Sequence, residues 1–292
     1  MKRLILTALV PLMVVGTTIS CTRPHPPRDP MEVWAFCGPD PSSLNVMAQL
    51  RSLRDDAGID AIFGHCFPPD WSTYTPANPG QRYMDTSEYL KLVQQVEALG
   101  GLKVVVYDAR VWSDDPSVRQ QAIDLWTPYA AFIRAWDMGD EYDPDTPDWQ
   151  VLVHRWNIVE QYVTPVTGVG PYTNHLGSAG VLDLALIDMP SQRNHLSYDA
   201  YDVPASLALA ERYAPQASHL MCAVNGLDHN NFHPSAWSIE VQMQDHRDAG
   251  CDSILLFGGV TPTNTPGFTT PSLVNANGTP TPWAAAVARG AL

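Results

Sequence analysis

Residues 131–142, Ala131-Phe132-Ile133-Arg134-Ala135-Trp136-Asp137-Met138-Gly139-Asp140-Glu141-Tyr142, decide how the rest of the chain is read. The stretch opens as a run of apolar and aromatic residues, the pattern of a parallel strand buried on both faces. It closes on Gly139 and two adjacent carboxylates, Asp140 and Glu141. Carboxylates where a buried strand runs out are costly to desolvate unless they are paired, solvated or used. In an α/β barrel the C-terminal strand ends are where chemistry is placed. The plainer reading is an acidic loop that caps the next helix. The position at a strand end favours the functional reading.

Working outward, short apolar runs alternate with longer amphipathic stretches. Strands are expected at 31–37, 60–66, 103–109, 166–172, 182–188, 219–225 and 252–257, besides the one in the opening stretch. Of these, 166–172 is the weakest. Helices are expected at 44–57, 86–99, 148–162, 204–213, 234–249 and 283–288, and at 116–133 with a break near Pro128. In the first, Leu44, Met47, Leu50, Leu53 and Ala57 recur at three- and four-residue spacing, with Ser42 or Ser43 as N-cap and Gly58 as the stop. Thr86 is the expected N-cap of the second. Eight β/α steps over roughly 250 residues are what a (β/α)8 barrel requires. No G-x-G-x-x-G follows the first strand, which argues against a dinucleotide fold. The expected fold is therefore α/β, a single-domain (β/α)8 TIM barrel over residues 31–292.

The N-terminus reads as a targeting segment, residues 1–20. Lys2 and Arg3 precede an apolar core at 4–15, too short to span a bilayer as a helix. The run Thr18-Ile19-Ser20-Cys21 resembles a bacterial lipobox, in which Cys21 is lipidated and becomes the first residue. Thr18 stands where Leu is usual, and simple secretion is the alternative. Residues 21–30, rich in Pro, form an extended tether. The expectation is an exported protein, anchored to a membrane face through a lipid on Cys21 or else secreted.

Composition narrows the partners. The chain is 45% hydrophobic with 9 Trp and 11 Tyr, enough for a full core, and its formal charge is −14. That balance argues against nucleic acid and against an electrostatic membrane-surface binder. Cys37, Cys66, Cys222 and Cys251 have no zinc spacing. In an oxidising compartment they permit two cross-strand disulfides, and buried free thiols are the alternative. No metal and no cofactor is expected: H-x-H and H-E-x-x-H are absent, and Asp228-His229 with His233 is only a weak cluster. G-x-S-x-G is absent too, against a serine hydrolase.

The strand ends collect Asp40, His65, Asp108, Asp140 with Glu141, Tyr172, Asp188, Asn225 and Gly258. Trp34, Trp71, Tyr74, Trp112 and Tyr142 lie beside them. Flat rings stack on sugar C–H faces while acids and amides bond hydroxyls, so this set suits a carbohydrate. Trp34, inside a strand, is as readily a core residue, and His65 as readily a satisfied polar one.

The run Trp136-Asp137-Met138-Gly139-Asp140-Glu141 resembles the fourth-strand end of the large (β/α)8 glycoside hydrolase superfamily. The resemblance implies that Glu141 is the general acid and that Asp140 bonds the sugar and orients its neighbour. Retaining members place a second Glu at the end of strand seven. Here that place holds Ala223-Val224-Asn225-Gly226. Asp188 and Asp108 are the candidates to replace it, with Asp228 behind them. Asp108, one strand away, would lie roughly 5 Å from Glu141, a nucleophile's separation; Asp188, two strands away, at roughly 8–10 Å, leaves room for an attacking water. The balance tilts to Asp188. A like charge at Asp140 would raise the Glu141 pKa and keep the acid protonated. His65, Trp34, Tyr172, Asn225 and Trp112 complete the expected sugar-binding set. The rival reading is a non-catalytic carbohydrate-binding protein on a barrel that has lost its second acid.

Overall fold

The computed structural model describes residues 31–64, 84–139, 147–173, 187–189, 220–224, 235–249, 251, 253–256, 258–260 and 272–292. The expectations for the signal segment, the tether with Cys21, and the helix at 204–213 lie outside these residues.

Eight strands form one sheet. They are β1 (Glu32–Ala35), β2 (Ala61–Ile62), β3 (Lys103–Val106), β4 (Ile133–Asp137), β5 (Pro171–Tyr172), β6 (Ile187–Met189), β7 (Leu220–Val224) and β8 (Ser253–Leu256). Their order is β5-β4-β3-β2-β1-β8-β7-β6, and every recorded pairing is parallel. This is ring order, with no β5–β6 pairing among the described residues.

The sheet is strongly curled. β1 and β5 stand four places apart, which in a flat sheet would be roughly 19 Å. Yet the Trp34 and Tyr172 ring centroids are 5.3 Å apart, and Phe63 reaches Tyr172 at 5.3 Å. Trp34, Ala61, Phe63, Val105, Ala135, Tyr172, Met221 and Leu255 form the inner cluster. The alternate strand residues, such as Val33, Val104, Val106 and Trp136, face the helical layer in the larger outer core. Alternation along each strand makes both clusters at once.

The helices are α1 (Val46–Asp55), α2 (Thr86–Leu99), α3 (Pro116–Trp126), α4 (Pro147–Ile158), α5 (Thr164–Thr167), α6 (Ala236–Ala249) and α7 (Pro282–Ala291). Several boundaries differ from expectation for physical reasons. Asp85, not Thr86, caps α2: its carboxylate accepts from Ser87 and Glu88 N–H, and Glu88 closes a capping box. Leu44 lies outside α1, fully exposed, and the N-cap is Asn45. Pro128 does end α3, and a 3-10 segment, Thr127–Phe132, leads into β4. Residues 166–167 are helical: a π turn, Val159–Val163, carries α4 into α5, which stops at Gly168 in the left-handed region. This leaves β5 only two residues.

Between β3 and β4 the register shifts: Val104 pairs Ile133, but Val105 pairs Ala135. Arg134 is the extra residue of a β-bulge. It turns inward beside Ala135. Its guanidinium grips Glu32 of β1 at 2.5 and 2.8 Å and lies 5.0 Å from the Trp34 ring centroid. This pair lines the N-terminal end of the curl.

Cys37 and Cys251 are each in a disulfide. They are not bonded to each other. The β1–β8 register, Glu32 to Ser253 and Ala35 to Leu256, puts Cys37 past the C-terminal end of the sheet and Cys251 before its N-terminal end. That separation exceeds the reach of a disulfide about threefold.

Candidate active site

The C-terminal end of β4 is built by alternation and one tight turn. Trp136 points outward against Trp126, with centroids 6.2 Å apart, and Met138 is buried in the same outer core. Asp137 points the other way. It is in register with Tyr172 of β5, an inner-cluster residue, so it shares the inner face. Gly139 then bends the chain at φ 105°, a conformation that glycine adopts without a Cβ penalty. Its N–H donates to Asp137 Oδ1 at 3.0 Å, an Asx-type turn, and Thr173 Oγ1 donates to the Gly139 carbonyl at 2.9 Å. The turn points the chain onward into Asp140 and Glu141, which lie outside the described residues.

Asp137 is 7% exposed. Burial pushes its carboxyl up to about 6, and the Gly139 N–H offsets only part of that. Tyr107, at the end of β3, is raised as well, first by burial and then by the nearby Asp137 charge. Tyr107 meets Trp112 edge-on, with centroids 5.3 Å apart. A buried carboxyl raised to about 6 at the C-terminal end of a parallel sheet stands where functional groups are placed in α/β barrels.

Asp108 faces the other layer. Its Oδ1 accepts from the Arg110 N–H at 3.1 Å and from Arg110 Nε at 2.9 Å; Oδ2 accepts from Arg110 Nη2 at 2.6 Å and from Trp126 Nε1 at 2.8 Å. With its side chain 2% exposed, every acceptor direction is taken, and it caps the 3-10 turn Ala109–Trp112. This is the chemistry of a structural latch between the β3 end and α3, not of an open nucleophile.

Trp34 and Tyr172, expected to bind a sugar, are instead core residues: both are fully buried, at 0% exposure, and pack inside the curl, so neither ring offers a face to a ligand. Trp112 is 6% exposed. Asp188 takes the register position opposite Met221, whose side chain belongs to the inner cluster. His65 and Asn225 lie outside the described residues, as does Asp228. Among the described residues no group of three His, Cys, Asp or Glu is arranged to hold a metal ion.

The expected site carboxylates of this stretch lie after Gly139; Asp137, before it, was not among them. The signal was present: an Asp two residues before a Gly, in phase with Ala135 on the inner face.

No family model matches the chain, and no curated protein matches it in sequence. Similarity is found among solved structures. One is a GH39 β-xylosidase from Caulobacter crescentus: 13% identity, TM-score 0.53, covering 88% of this chain and 70% of that one. Another is a GH39 enzyme from Xanthomonas axonopodis pv. citri, at 14% identity and TM-score 0.47, covering 88% and 65%. A third is an N-acetylneuraminate lyase from Mycoplasma synoviae, at 10% identity and TM-score 0.42, covering 77% and 69%. At such identities a likeness concerns architecture, and only the first is strong enough to argue from. What the chain shares with that glycosidase is its parallel, curled α/β fold.

Proposed function

We propose that the protein is a glycoside hydrolase acting on an oligo- or polysaccharide, with a closed (β/α)8 barrel as its scaffold. The observation that carries the reading is the end of β4. There β4 ends at the buried carboxyl of Asp137, at the C-terminal edge of a parallel sheet, and Met138-Gly139-Asp140-Glu141 follow it in sequence. The curl of the sheet and its likeness in fold to a β-xylosidase support the same class. In this reading Glu141 protonates the glycosidic oxygen as the bond to the anomeric carbon breaks. Asp188 takes a proton from the water that attacks the opposite face, and inversion follows. The hydrogen bonds that occupy Asp108 favour Asp188 as the second carboxylate. Asp140 orients the acid and bonds the sugar, with His65, which follows β2 in sequence, and Asn225, which follows β7, as further sugar-binding residues.

Release of reducing sugar from a polysaccharide panel tests this. Glu141→Gln is expected to lose at least about 100-fold in kcat while keeping its fold. An unchanged rate in the variant would sink the assignment.

A second reading, a non-catalytic carbohydrate binder, is favoured by one feature. β7 ends at Val224 and is followed by Asn225, with no Glu where a retaining enzyme has its nucleophile. Binding without hydrolysis, equal in the wild type and Glu141→Gln, would select it.

Export as a lipoprotein belongs to the same proposal. The basic and apolar N-terminus and the lipobox-like Cys21 support it, and so do disulfides at Cys37 and Cys251. Labelled palmitate incorporated into the wild type but not into Cys21→Ala would establish the anchor. Label in neither would leave simple secretion.

A further inference from the structure

A carboxylate inside a protein ordinarily has all its acceptor capacity met, because an unmet charged group carries its full desolvation cost. Asp137 departs from this. Oδ1 accepts the Gly139 N–H at 3.0 Å, whereas Oδ2 takes no hydrogen bond from any described residue. No described cation answers it either. Arg110 is engaged by Asp108 and Arg134 by Glu32, on the far side of the sheet and at its other end. The carboxylate is only 7% exposed and lies on the inner face, in register with Tyr172. Next to it Trp34, Phe63 and Tyr172 pack with centroids 5.3 to 5.9 Å apart, closing the inside of the curl. The result is an inner face filled by aromatic rings, with one carboxylate oxygen at its C-terminal end that no described residue bonds.

We propose that Asp137 is a substrate-binding residue, its Oδ2 accepting a hydrogen bond from a hydroxyl of a sugar at the C-terminal end of the curl while Oδ1 stays on the Gly139 turn. The proposal rests on the carbohydrate reading above and adds a contact to it. A single open carboxylate oxygen selects a ligand that offers a hydroxyl donor. A phosphorylated or carboxylated sugar, presenting an anion to this carboxylate, is excluded.

The test is calorimetric binding at pH 8, where the Asp137 carboxyl is ionised, in a Glu141→Gln background so that nothing turns over. The probes are xylo-, cello- and manno-oligosaccharides. Asp137→Asn keeps Oδ1 for the Gly139 N–H and replaces Oδ2 by a donor. It is expected to bind the best of these ligands about 10- to 100-fold more weakly. A monodeoxy version of that ligand lacking the bonded hydroxyl should bind both proteins within about 3-fold of each other, a coupling that a purely structural residue would not produce. Asp137→Ser, which retains one acceptor and drops the other, gives the same comparison if the Asn variant fails to fold. Affinity in both variants within about 3-fold of the parent would overturn the proposal and leave the carbohydrate reading standing. A parent and wild type that bind none of the probes would overturn both.

Discussion

Replacing Asp137 with Asn should change how stability depends on pH, and the size of that change follows from the site. The Asp137 carboxyl has an ordinary value of 3.8 and is pushed up to about 6 by burial. A raised carboxyl pKa means that folding disfavours the ionised form. Well below pH 3.8 the group is protonated in both states and contributes no penalty; at pH 4 about 0.5 kcal/mol of it is already present. As pH climbs from 4 through 6 the unfolded chain ionises first and stability falls. Above pH 6 the whole cost is present. A shift of about two units corresponds to about 3 kcal/mol. Asn is isosteric and neutral, and its Oδ1 can keep the Gly139 N–H. The variant should therefore lack this slope, while its new amide adds a pH-independent cost of about 1–3 kcal/mol if it finds no acceptor.

The quantity to measure is the difference in unfolding free energy, variant minus wild type, from urea melts at pH 4, 5, 6, 7 and 8. Titrations elsewhere cancel in the difference. It should rise by about 2.5 kcal/mol from pH 4 to pH 8, with its midpoint between pH 4 and 6. In thermal melts that is a relative gain of about 5–10 °C for a domain of this size. A difference flat to within about 0.5 kcal/mol over the range would refute the reasoning. Asp137 would then be as well solvated in the folded protein as in the unfolded chain.

Two further substitutions test contacts that hold the fold. Asp108→Asn should cost about 1–3 kcal/mol by weakening the bonds to Arg110 and Trp126. Its kcat should stay within about 5-fold of wild type at a temperature where it is folded; a loss matching that of Glu141→Gln would return Asp108 to the chemistry. Arg134→Met, which leaves Glu32 without its guanidinium inside the curl, should cost about 2 kcal/mol by denaturant melt. The double variant Glu32→Leu, Arg134→Met should recover most of that, and additive losses in the double would show that the pair is not coupled.

Much of the architecture was legible because strand and helix periods are local. The apolar runs at 31–37, 103–109 and 252–257 became β1, β3 and β8, and Pro128 broke its helix as expected. The fifth strand was hardest to read because its first half is not a strand. Thr164-Pro165-Val166-Thr167 continues the π turn as helix, and only Gly168 releases the chain toward β5. Val166 looks like a strand residue by propensity, but its neighbours decide its conformation. The candidate site was legible in the same uneven way. Strand ends could be located from sequence, but the direction of a side chain at a strand end could not. Asp108 and Asp137 lie on adjacent strands near the same end; one is latched into the helical layer and the other faces the interior.

The difference between those two aspartates traces to a single inserted residue. In a regular β3–β4 pairing Val105 would oppose Arg134, and alternation would send Trp136 inward and Asp137 outward. The bulge shifts the partner of Val105 to Ala135 and reverses the facing of everything after it. Trp136 is thereby free to pack against Trp126, and Asp137 reaches the inner face beside Tyr172. Arg134, displaced into the bulge, finds Glu32 across the curl. An arginine inside a barrel strand would ordinarily count against the strand. Here it marks the place where the strand changes phase. The ion pair at the N-terminal end and the buried carboxyl at the C-terminal end are thus two consequences of the same insertion.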